Sequence, residues 1–269
     1  MEKIDRPIFI LGVARTGTTI IYQTLAKHPE LAYFCTAWKK KIPLNFFRMV
    51  VKHEPTALEG WVWHYYKDLV HVKKVDENEK KRVRNQVSSC LRYWKRERFI
   101  NKNPPLSLRI KYLNRIFPDC IFLIVGRKHE ASIKSIHQYM LKNWDESNSH
   151  TEGWKNVYEI FGKRSKSKLH AVMNYYKYHI NIIGNDLKSI PDNRKKAISY
   201  ESFCRDPRFH SNKIWEFCDL SKPKPTSPLE EYEKNLPNKL ENMNDKYNYA
   251  DKDQKLIDDF VRVKILKIK

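Results

Sequence analysis

The apolar run Ile8-Phe9-Ile10-Leu11 leads straight into Gly12-Val13-Ala14-Arg15-Thr16-Gly17-Thr18-Thr19. The run reads as a buried strand. The residues after the loop, with Ile21 and Leu25 one turn apart, read as a helix ended by His28-Pro29. Strand, glycine loop and helix in that order point to an α/β architecture in which backbone N–H groups gather at a helix N-terminus. The loop keeps the Gly-x-x-x-x-Gly frame of a phosphate-binding loop. It places Thr18 where the lysine that reaches the outer phosphates of a nucleoside triphosphate belongs. A cradle without that lysine suits a nucleotide bearing a single 5′-phosphate, a phosphosulfate rather than ATP.

Further α/β punctuation follows. A short second strand is expected at Leu31 to Phe34. From Ile42 to about Ile100 the pattern is helical and aromatic-rich, with Trp61-Val62-Trp63-His64-Tyr65-Tyr66 and a charged helix from about Glu77 to Arg98. No parallel strand is evident there, so 42–98 reads as a helical insertion that covers a cleft. Ile110, Leu113 and Phe117 resume helical spacing, ended by Pro118-Asp119. Cys120 to Val125 is continuously apolar, as a strand buried on both faces should be. Gly126-Arg127 ends that strand, and Ile133, Ile136 and Met140 open the next helix. Helices are expected at Leu169 to Ile183 and Phe209 to Cys218, a strand at Ala197 to Ser199, and a docking helix at Gln254 to Ile268. The expectation is one domain over 1–269, a P-loop-like three-layer α/β fold with a central parallel sheet and a helical insertion.

Charge narrows the ligand class. Lys and Arg number 52 against 31 Asp and Glu, a formal charge of +21, which favours anionic ligands or polyanions. The charge is spread along the chain, with runs at Lys39-Lys40-Lys41 and Lys80-Lys81-Arg82. Cys35, Cys90, Cys120, Cys204 and Cys218 form no Cys-x-x-Cys pair, a spacing that suggests neither a disulfide framework nor a zinc site. Neither a secretory leader nor the ~20 apolar residues of a membrane span is visible. The expected compartment is the reducing cytoplasm.

Three ordered segments then line up: Arg15-Thr16-Gly17-Thr18-Thr19; Arg127 at a strand end with Ser135 two turns into the following helix; and Ser199-Tyr200-Glu201-Ser202-Phe203 followed by Asp206-Pro207. Together they resemble the PAPS-dependent sulfotransferases, where PAPS is 3′-phosphoadenosine 5′-phosphosulfate. Asn101-Lys102-Asn103-Pro104, with Tyr112-Leu113, Phe117-Pro118 and Phe122-Leu123, resembles the tyrosylprotein branch and the related bacterial and glycan enzymes. The likeness covers roughly 7–40 and 99–220. It implies that Arg15, Thr16, Gly17, Thr18 and Thr19 hold the 5′-phosphosulfate, and that Arg127 and Ser135 bind the 3′-phosphate. It places Tyr200 near the adenine, and gives Lys102 and Arg15 as the catalytic cations. A fork and a hydroxyl suit a phosphate dianion. No metal is implied. The acceptor implied is a hydroxyl or amine of a small molecule or glycan, and nucleic acid is not expected.

The departures from that pattern are local. Tyrosylprotein sulfotransferases carry a glutamate base in the neighbourhood of Phe34-Cys35-Thr36-Ala37-Trp38, which here has no carboxylate; His64, His71 and Glu59 are the alternatives. An arginine one turn after the helix serine is replaced by Tyr139. The family's C-terminal cofactor loop has only Asp245-Lys246-Tyr247 as a weak counterpart. Two other readings remain open at this point. One is a nucleotide or sugar kinase with a degenerate loop, which divalent-metal dependence would reveal. The other is a non-catalytic polyanion-binding protein, revealed by salt-sensitive binding without turnover.

Overall fold

The structure, a computed structural model, describes residues 4–35, 75–143, 165–221 and 239–262. The stretches Lys39–Lys41 and Trp61–Tyr66, the residues Glu59 and His71, and the end of the expected C-terminal helix lie outside the described residues.

Five strands form one parallel sheet: β1 (Asp5–Leu11), β2 (Leu31–Ala32), β3 (Arg98–Lys102), β4 (Ile121–Gly126) and β5 (Lys195–Ser199). Their order is β2-β3-β1-β4-β5, and each pairing is parallel. Parallel neighbours need crossovers, and the helices supply them. These are α1 (Thr18–Leu25), α2 (Glu77–Trp94), α3 (Ile110–Ile116), α4 (His129–Asn143) and α5 (Lys168–Leu187). Beyond β5 come α6 (Tyr200–Arg205), α7 (Pro207–Phe217) and α8 (Asp251–Arg262). Helix α1 packs on β1, β3 and α7, while α2, α3, α5 and α4 contact one another in series.

Both faces of the sheet are therefore covered, and the central strands are apolar on both sides. Ile8 to Leu11 and Ile121 to Val125 are all buried. The Phe9 ring lies 5.7 to 6.4 Å from those of Phe99, Phe117 and Phe122, in tilted or edge-on contacts. All five cysteines are buried free thiols. Among the described residues, no helix is long and apolar enough to cross a membrane.

The sequence reading missed β3, in the stretch where no strand was expected. Arg98-Phe99-Ile100-Asn101-Lys102 carries a charge at each end and only two apolar residues, yet all five are buried. Tertiary partners explain this. The Arg98 guanidinium donates to the carbonyls of Arg6 at 3.1 Å and Cys218 at 3.0 Å. Phe99 is wedged against Phe9 and Phe34. Burial of Arg98 and Lys102 depends on such hydrogen bonds, which no periodicity records, whereas Asn101 is buried without a side-chain partner among the described residues. Helix α2, whose N-cap Asp76 accepts from the Glu79 N–H at 2.7 Å, packs on β2 and β3. Helix α2, at the described end of the 42–98 region, therefore flanks the sheet. The second strand is also shorter than expected, ending at Ala32.

Arg98→Ala should leave the buried Cys218 carbonyl and the half-buried Arg6 carbonyl without this donor and lower stability by about 1–3 kcal/mol. A urea titration checks this; an unchanged midpoint would mean that the carbonyls find other donors.

Candidate active site

The register of the sheet brings the functional side chains to one edge. Ile10 stands between Lys102 of β3 and Leu123 of β4, and Gly126 stands opposite Ser199. The next residues along each chain, at the loop, at Arg127 and at Tyr200, therefore emerge together at the carboxyl ends of the strands, where open α/β sheets bind ligands.

The glycine loop is shaped by what surrounds it. The Ser107 hydroxyl, from the turn after β3, accepts from the Gly12 N–H and donates to the Gly12 carbonyl, both at 2.9 Å. Thr16 Oγ1 donates to the Val13 carbonyl at 2.7 Å. Gly17 has φ of 88°, and a Cβ there would lie 2.2 Å from the Tyr200 ring. Only glycine admits both the left-handed backbone and the ring. Gly17 caps α1 without a side-chain hydrogen bond, and the first turn carries no acidic residue. The leading N–H groups of α1 thus present an anion site with no built-in competitor.

Lys102 lies beside this turn. Its Nζ donates to Thr19 Oγ1 at 3.0 Å. Burial, and then the charge of Arg15, lower its pKa to about 8. Arg15 adopts φ of 66° and lays its guanidinium over the Tyr139 ring, 5.1 Å from the centroid. Arg127 follows β4, stacks over Tyr200 at 4.9 Å and donates to the Arg15 carbonyl at 3.0 Å. Ser135 faces the same space from α4.

These side chains line one cleft of about 370 Å³ containing Arg15, Gly17, Thr18, Thr19, Lys102, Arg127, Ser135 and Tyr200. Of the loop residues Arg15 to Thr19, Thr16 alone is not in its wall; it is buried, with its hydroxyl turned back onto the loop. Tyr139, Met243, Lys246 and Tyr247 also line it, with Ala14, Ile20 and Pro104. Lys246 and Tyr247 belong to the stretch that gave only a weak sequence signal. The segment before α8 crosses the cleft because Leu240 N–H bonds the Cys204 carbonyl at 2.8 Å and Tyr249 OH bonds His137 Nδ1 at 2.7 Å. Arg15, Lys102, Arg127 and Lys246 give the wall four cations, and no carboxylate is among its described lining residues. Such a wall attracts a multiply charged anion.

Residues 7–224 match the model of a family described as the sulfotransferase family. Among solved structures, the chain is similar to sulfotransferase STF1 of Mycobacterium tuberculosis H37Rv, at 14% identity and a TM-score of 0.65, covering 97% of this chain and 77% of that one. It is also similar to sulfotransferase STF9 of Mycobacterium avium, at 16% identity and a TM-score of 0.60, covering 99% and 79%. The sulfotransferase domain of the curacin biosynthetic pathway matches at 13% identity and a TM-score of 0.54, covering 98% and 100%. At these identities the structures speak to the fold. No curated protein matches the sequence.

The Lys102 amine should titrate near pH 8, far below the ordinary lysine value of about 10.4, and a polyanion in the cleft should raise it. The penalty for burying its charge is present below about pH 8 and fades as the pH rises toward about 10.4. NMR of labelled lysine side chains measures this directly; an ordinary value would place Lys102 in solvent.

Proposed function

The chain belongs to the sulfotransferase family, and we propose that it moves the sulfuryl group of PAPS to a hydroxyl or amine of a small-molecule or glycan acceptor. The choice of donor is supported by two sets of N–H, hydroxyl and guanidinium donors that line one cleft. One is the lysine-free loop Arg15–Thr19 at the N-terminus of α1. The other is Arg127 with Ser135, across the Tyr200 ring. A nucleotide phosphorylated at both 5′ and 3′ positions occupies both, and a 5′-triphosphate leaves the second unused.

Each residue then has a physical role. The N–H groups of Gly17, Thr18 and Thr19 hold the 5′-phosphate, and Arg15 leaves the Tyr139 face to meet the sulfuryl oxygens. Arg127 and Ser135 hold the 3′-phosphate, with Lys246 adding charge from the crossing segment. Tyr200, fixed against Gly17, bounds the adenine. The acceptor atom attacks sulfur in line, and the bond from sulfur to the bridging oxygen breaks with its electron pair left on that oxygen. The Lys102 ammonium, beside Thr19, stabilises the charge that builds there. The acceptor proton passes to a base, for which Glu59, His64 and His71 are the candidates. The step forms no covalent enzyme intermediate and needs no metal.

The 3′-phosphate is the discriminating feature. PAP, the desulfated nucleotide, should raise the melting temperature strongly, by about 2.7 kcal/mol of stability at a hundredfold excess over Kd. AMP should stabilise less and ATP should not stabilise. Equal shifts from all three would contradict the reading.

A further inference from the structure

Arg127 is held unusually firmly for a cation at a strand end. A guanidinium has five N–H donors. Here Nε donates to Asn244 Oδ1 at 2.8 Å, one terminal nitrogen to the Arg15 carbonyl at 3.0 Å, and the other to the Met243 carbonyl at 2.5 Å. Among the described residues, one N–H on each terminal nitrogen has no acceptor.

The only side chain among these three acceptors belongs to Asn244, which is itself buried. Its Nδ2 donates to Glu201 Oε1 at 3.0 Å, and its own N–H is turned by Asn242 Oδ1 at 3.1 Å. The same Glu201 oxygen accepts from the Lys128 N–H at 2.8 Å, and the other accepts from Ser199 Oγ at 3.2 Å. Burial alone would raise the Glu201 pKa, but these hydrogen bonds outweigh it and hold the carboxyl below its ordinary value. The turn after β4 is therefore gripped twice, at the Arg127 side chain by Asn244 and at the Lys128 backbone by Glu201.

The order of groups is chemically telling. A direct pair between Arg127 and Glu201 would commit the fork to a carboxylate and leave less for a phosphate. A neutral amide between them passes on orientation while leaving the cation's remaining donors to the ligand. It also ties the crossing segment, with Lys246 and Tyr247, to the same guanidinium.

We propose that Asn244 is the positioning residue for 3′-phosphate selection, holding Arg127 between the Glu201 carboxylate and the cleft so that its two remaining donors meet the phosphate. This rests on the PAPS reading above. A bare arginine must be ordered by the ligand itself, whereas an arginine already fixed gives that cost back as affinity.

Calorimetric binding of PAP and AMP to the full chain tests this, using wild type, Asn244→Ala, Arg127→Ala and the double variant. Wild type should prefer PAP. Asn244→Ala should cut that preference about tenfold, the scale of one hydrogen bond to a charged group, while AMP affinity stays unchanged. In the Arg127→Ala background the second substitution should change nothing. Asn244→Ser keeps a shorter acceptor and should fall between, which preserves the test if alanine disturbs the crossing segment. PAP and AMP affinities that weaken in parallel, an intact preference, or additive effects in the double variant would each overturn the role of Asn244. A wild type without any preference for PAP would overturn the PAPS reading itself, and this inference with it.

Discussion

The parallel register around β1 is the constraint on which the rest depends. With Ile10 fixed between Lys102 and Leu123, β3 and β1 end within a residue of each other, β4 runs on past them to Gly126, and β5 joins through Ser199 opposite Gly126. A slip of one residue would turn Lys102 from the Thr19 side to the opposite face of the sheet. The buried apolar faces of β1 and β4, with the Phe9, Phe99, Phe117 and Phe122 cluster, resist that slip. Core packing thus sets the placement of the site, and one buried core residue, Tyr200, itself forms part of the cleft wall.

Electrostatics then decides what the edge can hold. Four cations converge on the cleft, and one of them, Lys102, is buried at a cost visible in its lowered pKa. An uncompensated cluster of this kind is unfavourable in the free protein and is relieved by a polyanion, so part of the binding energy is stored in the fold. The contact of Tyr200 with Gly17 joins the two anion sites, since the same ring stacks under Arg127 and closes on the loop. In the proposed reading, one tyrosine thereby sets the distance between the sites for the 5′- and 3′-phosphates.

Much of this was legible in the sequence, for identifiable reasons. The glycine loop and the apolar run before Arg127 have strong local signals, because a buried parallel strand has few ways to be written. Arg127, Ser135 and Tyr200 were singled out through the resemblance to the sulfotransferases, and the fold brings all three to the wall of one cleft. Strand β3 was hidden, since its burial rests on Arg98 reaching the carbonyls of Arg6 and Cys218, partners far away in sequence. Lys102 was found through the motif around it, without knowledge of its strand. Asn244 gave no signal at all. An asparagine before Asp245-Lys246-Tyr247 looks like any loop residue until the fold sets it between Arg127 and Glu201. The short β2 and the extra residues at the start of β5 are boundary effects of edge strands, where pairing rather than composition sets the ends.

The most direct test is release of PAP from PAPS, measured in chelator across hydroxyl and amine acceptors, for wild type and for Lys102→Ala. Wild type should turn over at least one acceptor. The variant should lose roughly tenfold to a thousandfold in rate while binding PAP nearly as well, because the ammonium acts mainly on charge that develops in the transition state. Undiminished turnover in the variant, or a strict requirement for a divalent metal in wild type, would contradict sulfuryl transfer at this cleft.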